Sequence, residues 1–432
     1  MFSSDISSEL KDVLKEVTPK FEEHFKRAFQ NEGFRRQTCK EKKEMHQLDD
    51  VLFSAGDNII ELKDLKILRG PDFRISSLFI DFPMLTVNIA LTLGDVIVEG
   101  DYVVNNRTLK YFFPLTHTGK TEVIFQRVVA TGRIGMSIKE DSFVFQHFDL
   151  TYTPLFVTAF VSYKDDKSDM KFENEISNTA VEATIATTFW KDLKATITSS
   201  LHEQMQAVVA EESISELLGE TEEELRNHAH NLALKGNRLF DSLLCTAKGR
   251  IVSESARLLR TPTLDVLFKG RYPSQQQGSL EANEGYIQDL STLSRSNDVS
   301  FYENEQEVII YGCLNLREFK YGYKKYKSQY ARTYVEGSIT TTAYRNKILL
   351  KISLSKSTDN SVTQLDSIQF SLVNDVDIVV SGLGSLTWLA KDVKSWMIGK
   401  LKGEVLPIIE KRIANAFEYA IRVTDCVSLL IE

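Results

Sequence analysis

The side chains able to do nucleophilic or metal chemistry are few and scattered. Seven histidines and four cysteines occur in 432 residues. The one tight histidine pair, His228 and His230, has a two-residue spacing that turns the rings about 200° apart on a helix. They cannot share a metal, and a solvated helix surface is the expected setting. Cys39, Cys245, Cys313 and Cys426 have no CxxC spacing; buried apolar filler or one or two structural disulfides both fit, with all three pairings open. GxSxG, Walker A, GxGxxG and HExxH motifs are absent from the sequence. With no nucleophile, acid–base pair or metal set, the chain is not expected to be an enzyme, and no cofactor or metal is expected.

The segment Arg317–Tyr334 holds Lys320, Lys324, Lys325, Lys327 and Arg332 among Tyr321, Tyr323, Tyr326, Tyr330 and Tyr334. Cations alternating with aromatics can build a single-strand nucleic-acid platform or a headgroup surface. The same pattern suits a strand pair with tyrosines inward and lysines in water, which is the expected reading. A net charge of −8 opposes a nucleic-acid partner, because such binding rewards clustered Lys and Arg. Transient membrane contact stays open. With 42% hydrophobic and 26% charged residues, the chain can form real cores, and no apolar run is long enough to span a bilayer.

The elements that would carry a site occur twice. Leu48-Asp49-Asp50-Val51-Leu52-Phe53 returns as Leu264-Asp265-Val266-Leu267-Phe268, and Leu62–Leu65 as Ile287–Leu290. Leu91–Val96 returns as Leu314–Phe319, Phe172–Ile176 as Leu372–Val376, and Lys191–Lys194 as Lys391–Lys394. Five similarities in one order indicate a duplicated domain. The expected division is 1–212 for the first domain, 213–224 for a glutamate-rich linker and 225–432 for the second.

Each half reads as a helix, a long run of strands and a longer helix. From Ser4 to Ala28, Ile6, Leu10, Leu14, Val17, Phe21, Phe25 and Phe29 mark one face of an amphipathic helix. The period then becomes two: Leu85, Val87, Ile89, Leu91 and Leu93 alternate with polar or small residues until Gly94-Asp95 shifts the phase. Such a meander has a greasy face that needs a cover. The closing helices supply it, through Leu193, Ile197, Leu201, Met205 and Val209, and through Val393, Met397, Leu401, Val405, Ile409, Ile413 and Phe417. These stripes coincide at an offset of 200 and drift slowly round the helix, as a wrapping sheet would require. Pro407 predicts a break near 403–407.

Strands wrapped round one helix enclose an apolar tube, suited to an elongated hydrophobic ligand. The first tube is expected to be lined by Leu85, Val87, Ile89, Leu91, Leu93, Ile134 and Met136, with Ile197, Leu201 and Met205 from the closing helix. The second is expected to use Ile310, Leu314, Leu316, Ile339, Val393, Met397 and Leu401. Inward faces free of charge are expected. The competing reading is a surface-acting protein with solid cores that binds a protein or a microbial glycolipid.

This order resembles the tubular lipid-binding (TULIP) superfamily: the bactericidal/permeability-increasing-like lipid transfer proteins and the takeout, juvenile-hormone-binding and group 7 mite allergen branch. The residues carrying it are Leu65, Gly70-Pro71-Asp72-Phe73-Arg74-Ile75, Val96–Tyr102, Gly119-Lys120 and the Val123–Ile138 strands, with Trp190 opening the closing helix. The second half lacks the Gly70-Pro71 turn and has Arg317 and Tyr323 where Gly94 and Gly100 stood. The resemblance implies an α+β protein of two tandem TULIP-like domains meeting end to end, each a long helix wrapped by a highly curved antiparallel sheet. It also implies non-enzymatic carriage or transfer of a fatty acid, phospholipid or isoprenoid, and secretion. The sequence opens Met1-Phe2-Ser3-Ser4-Asp5 with no basic or apolar leader, so a trimmed mature form is the expectation.

Overall fold

The computed structural model describes residues 6–30, 47–55, 58–106, 116–163, 173–175, 180–210, 212–254, 259–270, 276–288, 290–304, 306–317, 319–355 and 362–431. Cys39 and most of the 272–278 loop lie outside them. Helix α1 (Ser8–Gln30) buries Leu10, Leu14, Val17, Phe21, Phe25 and Phe29, the face that its spacing predicts. Strands β1 (Val51–Ala55), β2 (Asn58–Arg69), β3 (Arg74–Asp81), β4 (Thr86–Asn106), β5 (Thr116–Lys139), β6 (Ser142–Thr153), β7 (Phe156–Tyr163) and β8 (Glu173–Glu175) follow. They form one sheet in the order β1-β2-β4-β5-β7-β8, with β3 on β4 and β6 on β5. Every pairing is antiparallel.

The phase shift at Gly94 is a register irregularity between β4 and β5. Gly94 has φ +74°, a conformation that glycine adopts without the Cβ penalty. Gly100 meets a different demand: a Cβ there would lie 2.3 Å from Leu65 Cδ2, so β2 can cross β4 closely only at a glycine.

Helix α2 (Ala180–Val209) closes the first half. It begins ten residues before Trp190, which is therefore mid-helix, with its ring 4.6 Å from that of Phe125. The glutamate-rich stretch is itself folded. Ser213 caps α3 (Ile214–Leu218) by accepting from the Glu216 N–H. A short 3₁₀ turn (Gly219–Thr221) leads into α4 (Glu222–Glu254), and Ile214, Leu218 and Leu225 are buried. Glu224 accepts from the backbone N–H and the hydroxyl of Ser7, at 2.6 and 2.7 Å, so the stretch is tied back to the start of α1.

The second sheet comprises β9 (Leu264–Lys269), β10 (Gln277–Gln288), β11 (Leu293–Arg295), β12 (Ser300–Glu303), β13 (Glu307–Leu316), β14 (Phe319–Tyr330), β15 (Thr333–Ser355) and β16 (Thr363–Val380). Its order is β11-β13-β15-β14-β10-β9, with β12 on β13 and β16 on β15. The halves break their long strands at different places. In the first, β4 is continuous and the outer partner of β5 is divided at Pro154 into β6 and β7. In the second, the outer partner β16 is continuous, and the inner one is divided after Leu316 into β13 and β14. Leu91–Val96 is thus mid-strand while its sequence counterpart is a strand break. Likewise Glu173–Glu175 is a short edge strand, whereas Leu372–Val376 lies within β16.

The tyrosine–lysine segment takes the strand reading. Tyr321, Tyr323 and Tyr326 are at most 1% exposed, while Lys324, Lys325 and Lys327 face solvent.

The second closing helix is divided as Pro407 predicts. It runs as α5 (Ala390–Lys400), one π turn (Leu401–Val405) and α6 (Leu406–Val423), with α7 (Cys426–Ile431) after it. Pro407 sits in the first turn of α6, where its missing N–H costs nothing. The π turn inserts the extra residue that restarts the helix.

Both halves share one apolar core. Strand β1 of the first half packs on α5 and the π turn of the second. Lys402 pairs with Asp49, and the Ser395 hydroxyl meets Asp50 Oδ2, each at 2.5 Å. A Cβ at Gly399 would lie 2.8 Å from the Leu52 backbone nitrogen. Gly399→Ala should therefore force α5 off β1 and destabilise by about 1–3 kcal/mol. Gly249→Ala, on an exposed turn of α4 with nothing within 4 Å of the added Cβ, should stabilise by about 0.5–1 kcal/mol. Urea midpoints of the two variants should move in opposite directions.

Candidate hydrophobic ligand site

The inward residues of the first sheet and the stripe of α2 are both buried in one core. Val87, Ile89, Leu91, Leu93 and Ile134 are at most 3% exposed, as are Ile197, Leu201 and Met205. Ile310, Leu314, Leu316, Ile339, Val393, Met397 and Leu401 in the second half are at most 1% exposed. All of these belong to the continuous core. Each such aliphatic side chain contributes roughly 1.5–3 kcal/mol of burial free energy, so the stripes hold each helix to its sheet.

Leu85 and Met136 occupy a different setting. They lie on the wall of a cavity of about 180 Å³ where the two halves meet. Met84, Leu85, Met136 and Ile138 come from the first half, Ala229 and Ala233 from α4, and Val299, Ser300 and Phe301 from the second. Leu85 has φ +50°, a left-handed conformation that is costly for a bulky residue. The turn is held in place: Leu85 N–H donates to Phe82 O at 3.1 Å, Met136 N–H donates to Leu85 O at 2.6 Å, and His228 Nε2 lies 2.7 Å from Pro83 O. His228 is therefore half-buried and bonded, against the solvated surface expected of it; His230 is exposed at the cavity rim.

Charge is not absent from the interior. Lys400, between the stripe residues Met397 and Leu401, is 2% exposed. Its Nζ lies 2.6 Å from Glu404 Oε2 and donates to Thr263 O at 3.0 Å. Desolvating a lysine is tolerable only with such partners. The spacing concealed it because Lys400 sits beside the stripe just where the helix changes to a π turn. Tyr321 donates to Met397 O and Tyr323 to Pro262 O, the latter at 2.7 Å, and burial pushes both phenols up from their ordinary values.

A second polar cluster joins the halves. Tyr311 donates to Asp149 Oδ2 at 2.6 Å, Lys351 Nζ donates to the same oxygen at 2.9 Å, and the Arg133 guanidinium lies 3.2 Å above the Tyr302 ring. His147 Nδ1 is 2.7 Å from the Ser300 hydroxyl, and its Nε2 is buried without a hydrogen-bond partner. Gly135 permits this approach, since a Cβ there would lie 2.1 Å from Ser300 Oγ. These contacts join residues more than 150 apart in sequence, and no periodicity could have revealed them. Cys245, Cys313 and Cys426 are free thiols, with burial raising Cys313 and Cys426. Among the described residues no group of histidines, cysteines and carboxylates could hold a metal, and no helix is long and apolar enough to cross a membrane.

Residues 235–420 match the group 7 allergen family model. This half is group 7 allergen-like. The TULIP resemblance therefore stands, and the fold is the expected α+β pair of curved antiparallel sheets with long helices. Takeout 1 of Epiphyas postvittana is similar in structure at 17% identity and a TM-score of 0.27, over 48% of this chain and 92% of that one. A lipopolysaccharide binding protein is similar at 10% identity and a TM-score of 0.21, over 88% of this chain and 87% of that one. No curated protein sequence matches the chain.

Burial, with Lys347 adding to it and Asp298 opposing it, lowers the His147 pKa from 6.5 to about 3. The unfolded chain therefore takes up this proton first, so the contribution is intact above pH 6.5 and lost as pH falls from there toward 3. The slope is at most about 1.4 kcal/mol per pH unit. Urea unfolding between pH 7 and 4 should show wild type losing more stability than His147→Asn, which lacks the titrating ring; parallel curves would contradict this assignment.

Proposed function

We propose that the protein binds and carries an elongated hydrophobic molecule, of the fatty acid, phospholipid or isoprenoid class, between each curved sheet and its closing helix, without chemical change. The observation that carries this reading is the run of aliphatic side chains shared by the inner face of β4 and the stripe of α2. Leu91 and Leu201, at 1% and 0% exposed, represent its two sides. A hydrocarbon chain entering there would meet apolar groups from both and would desolvate no charge in the first half. The second half would hold its ligand beside the buried Lys400–Glu404 pair. Entry requires the helix to move from the sheet, because the lining side chains are buried in one continuous core in this state. Met205 and Met397 supply adaptable walls for that opening. In this reading the two halves are separate ligand-holding domains divided within 213–224, and the carrier is a secreted protein.

The tight closure of both interiors favours a second reading, a packed protein that acts through its surface. Native mass spectrometry followed by organic extraction separates the two. Bound lipid masses support carriage, and a clean apo mass after incubation with mixed fatty acids and phospholipids supports the packed protein. Leu201→Trp should reduce lipid uptake at least about tenfold, with a near-unchanged circular dichroism spectrum, by filling the space a ligand would occupy. If it unfolds, this position is core alone.

A further inference from the structure

Helix α5 is braced on two opposite sides. Val393 and Met397 are fully buried, Tyr321 of β14 donates to Met397 O, and α5 also packs on β16. This is the side toward its own sheet. Ser395, Gly399 and Lys402, the last in the π turn, step by four and three, which places them on one helix face. All three meet residues 49–52 of the first half. The Ser395 hydroxyl donates to Asp50, Lys402 pairs with Asp49, and Gly399 lies against Leu52. At about 100° per residue, this face is roughly half a turn round from Val393 and Met397. Strand β1 therefore crosses α5 on the side away from the sheet. Helix α5 cannot leave that sheet while β1 stays in place.

Both ends of α5 are built to bend. Before it, Gly382 and Gly384 have φ of +77° and +51°, and the 3₁₀ segment Gly384–Leu389 holds Leu386 in a non-helical conformation. After it come the π turn and Pro407, which lacks the N–H that would tie α6 back to that turn. No side chain caps the start of α5, and it has 11 residues, fewer than the roughly 12–15 at which an isolated helix becomes marginal. Its contacts hold it. Of these, β1 is the one that can be released most easily: it has five residues, lies at the edge of its sheet and, among the described residues, pairs only with β2. Asp50 joins strap to sheet as well, accepting from the Asp64 N–H at 3.1 Å.

We propose that β1 is a strap that gates the second interior: α5 and the π turn swing from their sheet only when Asp49 and Asp50 release Lys402 and Ser395. Its bearing on ligand entry rests on the carrier reading above, but the opening itself does not. A molecule entering the second half must then first disturb the edge of the first sheet, so the two halves are coupled at β1.

Hydrogen-exchange mass spectrometry of the full chain tests this. Asp49→Asn with Asp50→Asn weakens both anchors from the strap side, and Ser395→Ala with Lys402→Met removes them from the helix side. In each variant the amides of residues 390–405 should exchange at least about fivefold faster than in wild type, as expected for losing hydrogen bonds to charged groups. Amides of α1 and α4 should keep their wild-type rates, which shows that the variant is folded. Wild-type exchange at 390–405 in either variant, acceleration of 51–55 alone, or equal acceleration across the chain would each overturn the proposal. Native mass spectrometry of the same samples separates the strap from the carrier reading. Faster exchange with no lipid in any of the proteins keeps the strap and removes carriage, whereas bound lipid with unaltered exchange keeps carriage and removes the strap.

Discussion

The constraint on which this structure depends is that a strongly curved antiparallel sheet has one face that water cannot cover. Along β4 the inward positions are aliphatic for more than ten consecutive residues, and each remains buried only if a second apolar surface lies against it. Helices provide that surface in each half, α1 with α2 in the first and α4 with α5 and α6 in the second. The step-of-four stripe of each closing helix winds slowly about its axis, as a twisting sheet requires. Helix and sheet are therefore not independently stable pieces, because either one alone would expose the stripe of the other.

The two halves satisfy this constraint by different local means. In the first, α2 is unbroken for 30 residues. In the second, the same stripe is maintained through a π turn and a proline, with α6 then packing on α4, where the Phe240 and Phe417 rings lie 6.2 Å apart. The π turn coincides with the close approach of β1, so the irregular segment of one half is braced by an edge strand of the other. The buried Lys400–Glu404 pair lies at that point. A charge pair inside an apolar core adds little net stability, but it strongly disfavours any arrangement that separates its members.

Where the halves meet, polar contacts replace aliphatic ones. Asp149 accepts from both Tyr311 and Lys351, and His147 and Ser300 face each other across a gap that only Gly135 leaves open. Directional bonds of this kind fix the relative placement of two surfaces more closely than apolar packing can, because hydrophobic burial is non-directional. They also leave a small void, since two independently curved surfaces pinned at a few polar points do not close everywhere.

Much of this was legible in the sequence because periodicity is a local property. The face of α1, the alternation of β4, the phase shift at Gly94 and the break at Pro407 each depend on neighbouring residues. All four appear where the spacing places them, with boundaries moved by a few residues. Trp190 was misplaced because helix starts are set by weak capping signals. The fold of residues 213–224 was obscured because glutamates, which dominate that stretch by number, say nothing of the three apolar residues that anchor it. Lys400 and His147 were not legible as buried groups, since a charged or titratable side chain enters a core only when a distant partner is placed to receive it. The sequence by itself determined which residues must face inward and that the pattern occurs twice. Only the tertiary structure decided which surfaces those residues meet, how tightly each interior closes, and that a cavity remains between the halves, because these depend on contacts between segments far apart in the chain, whose geometry no local period encodes.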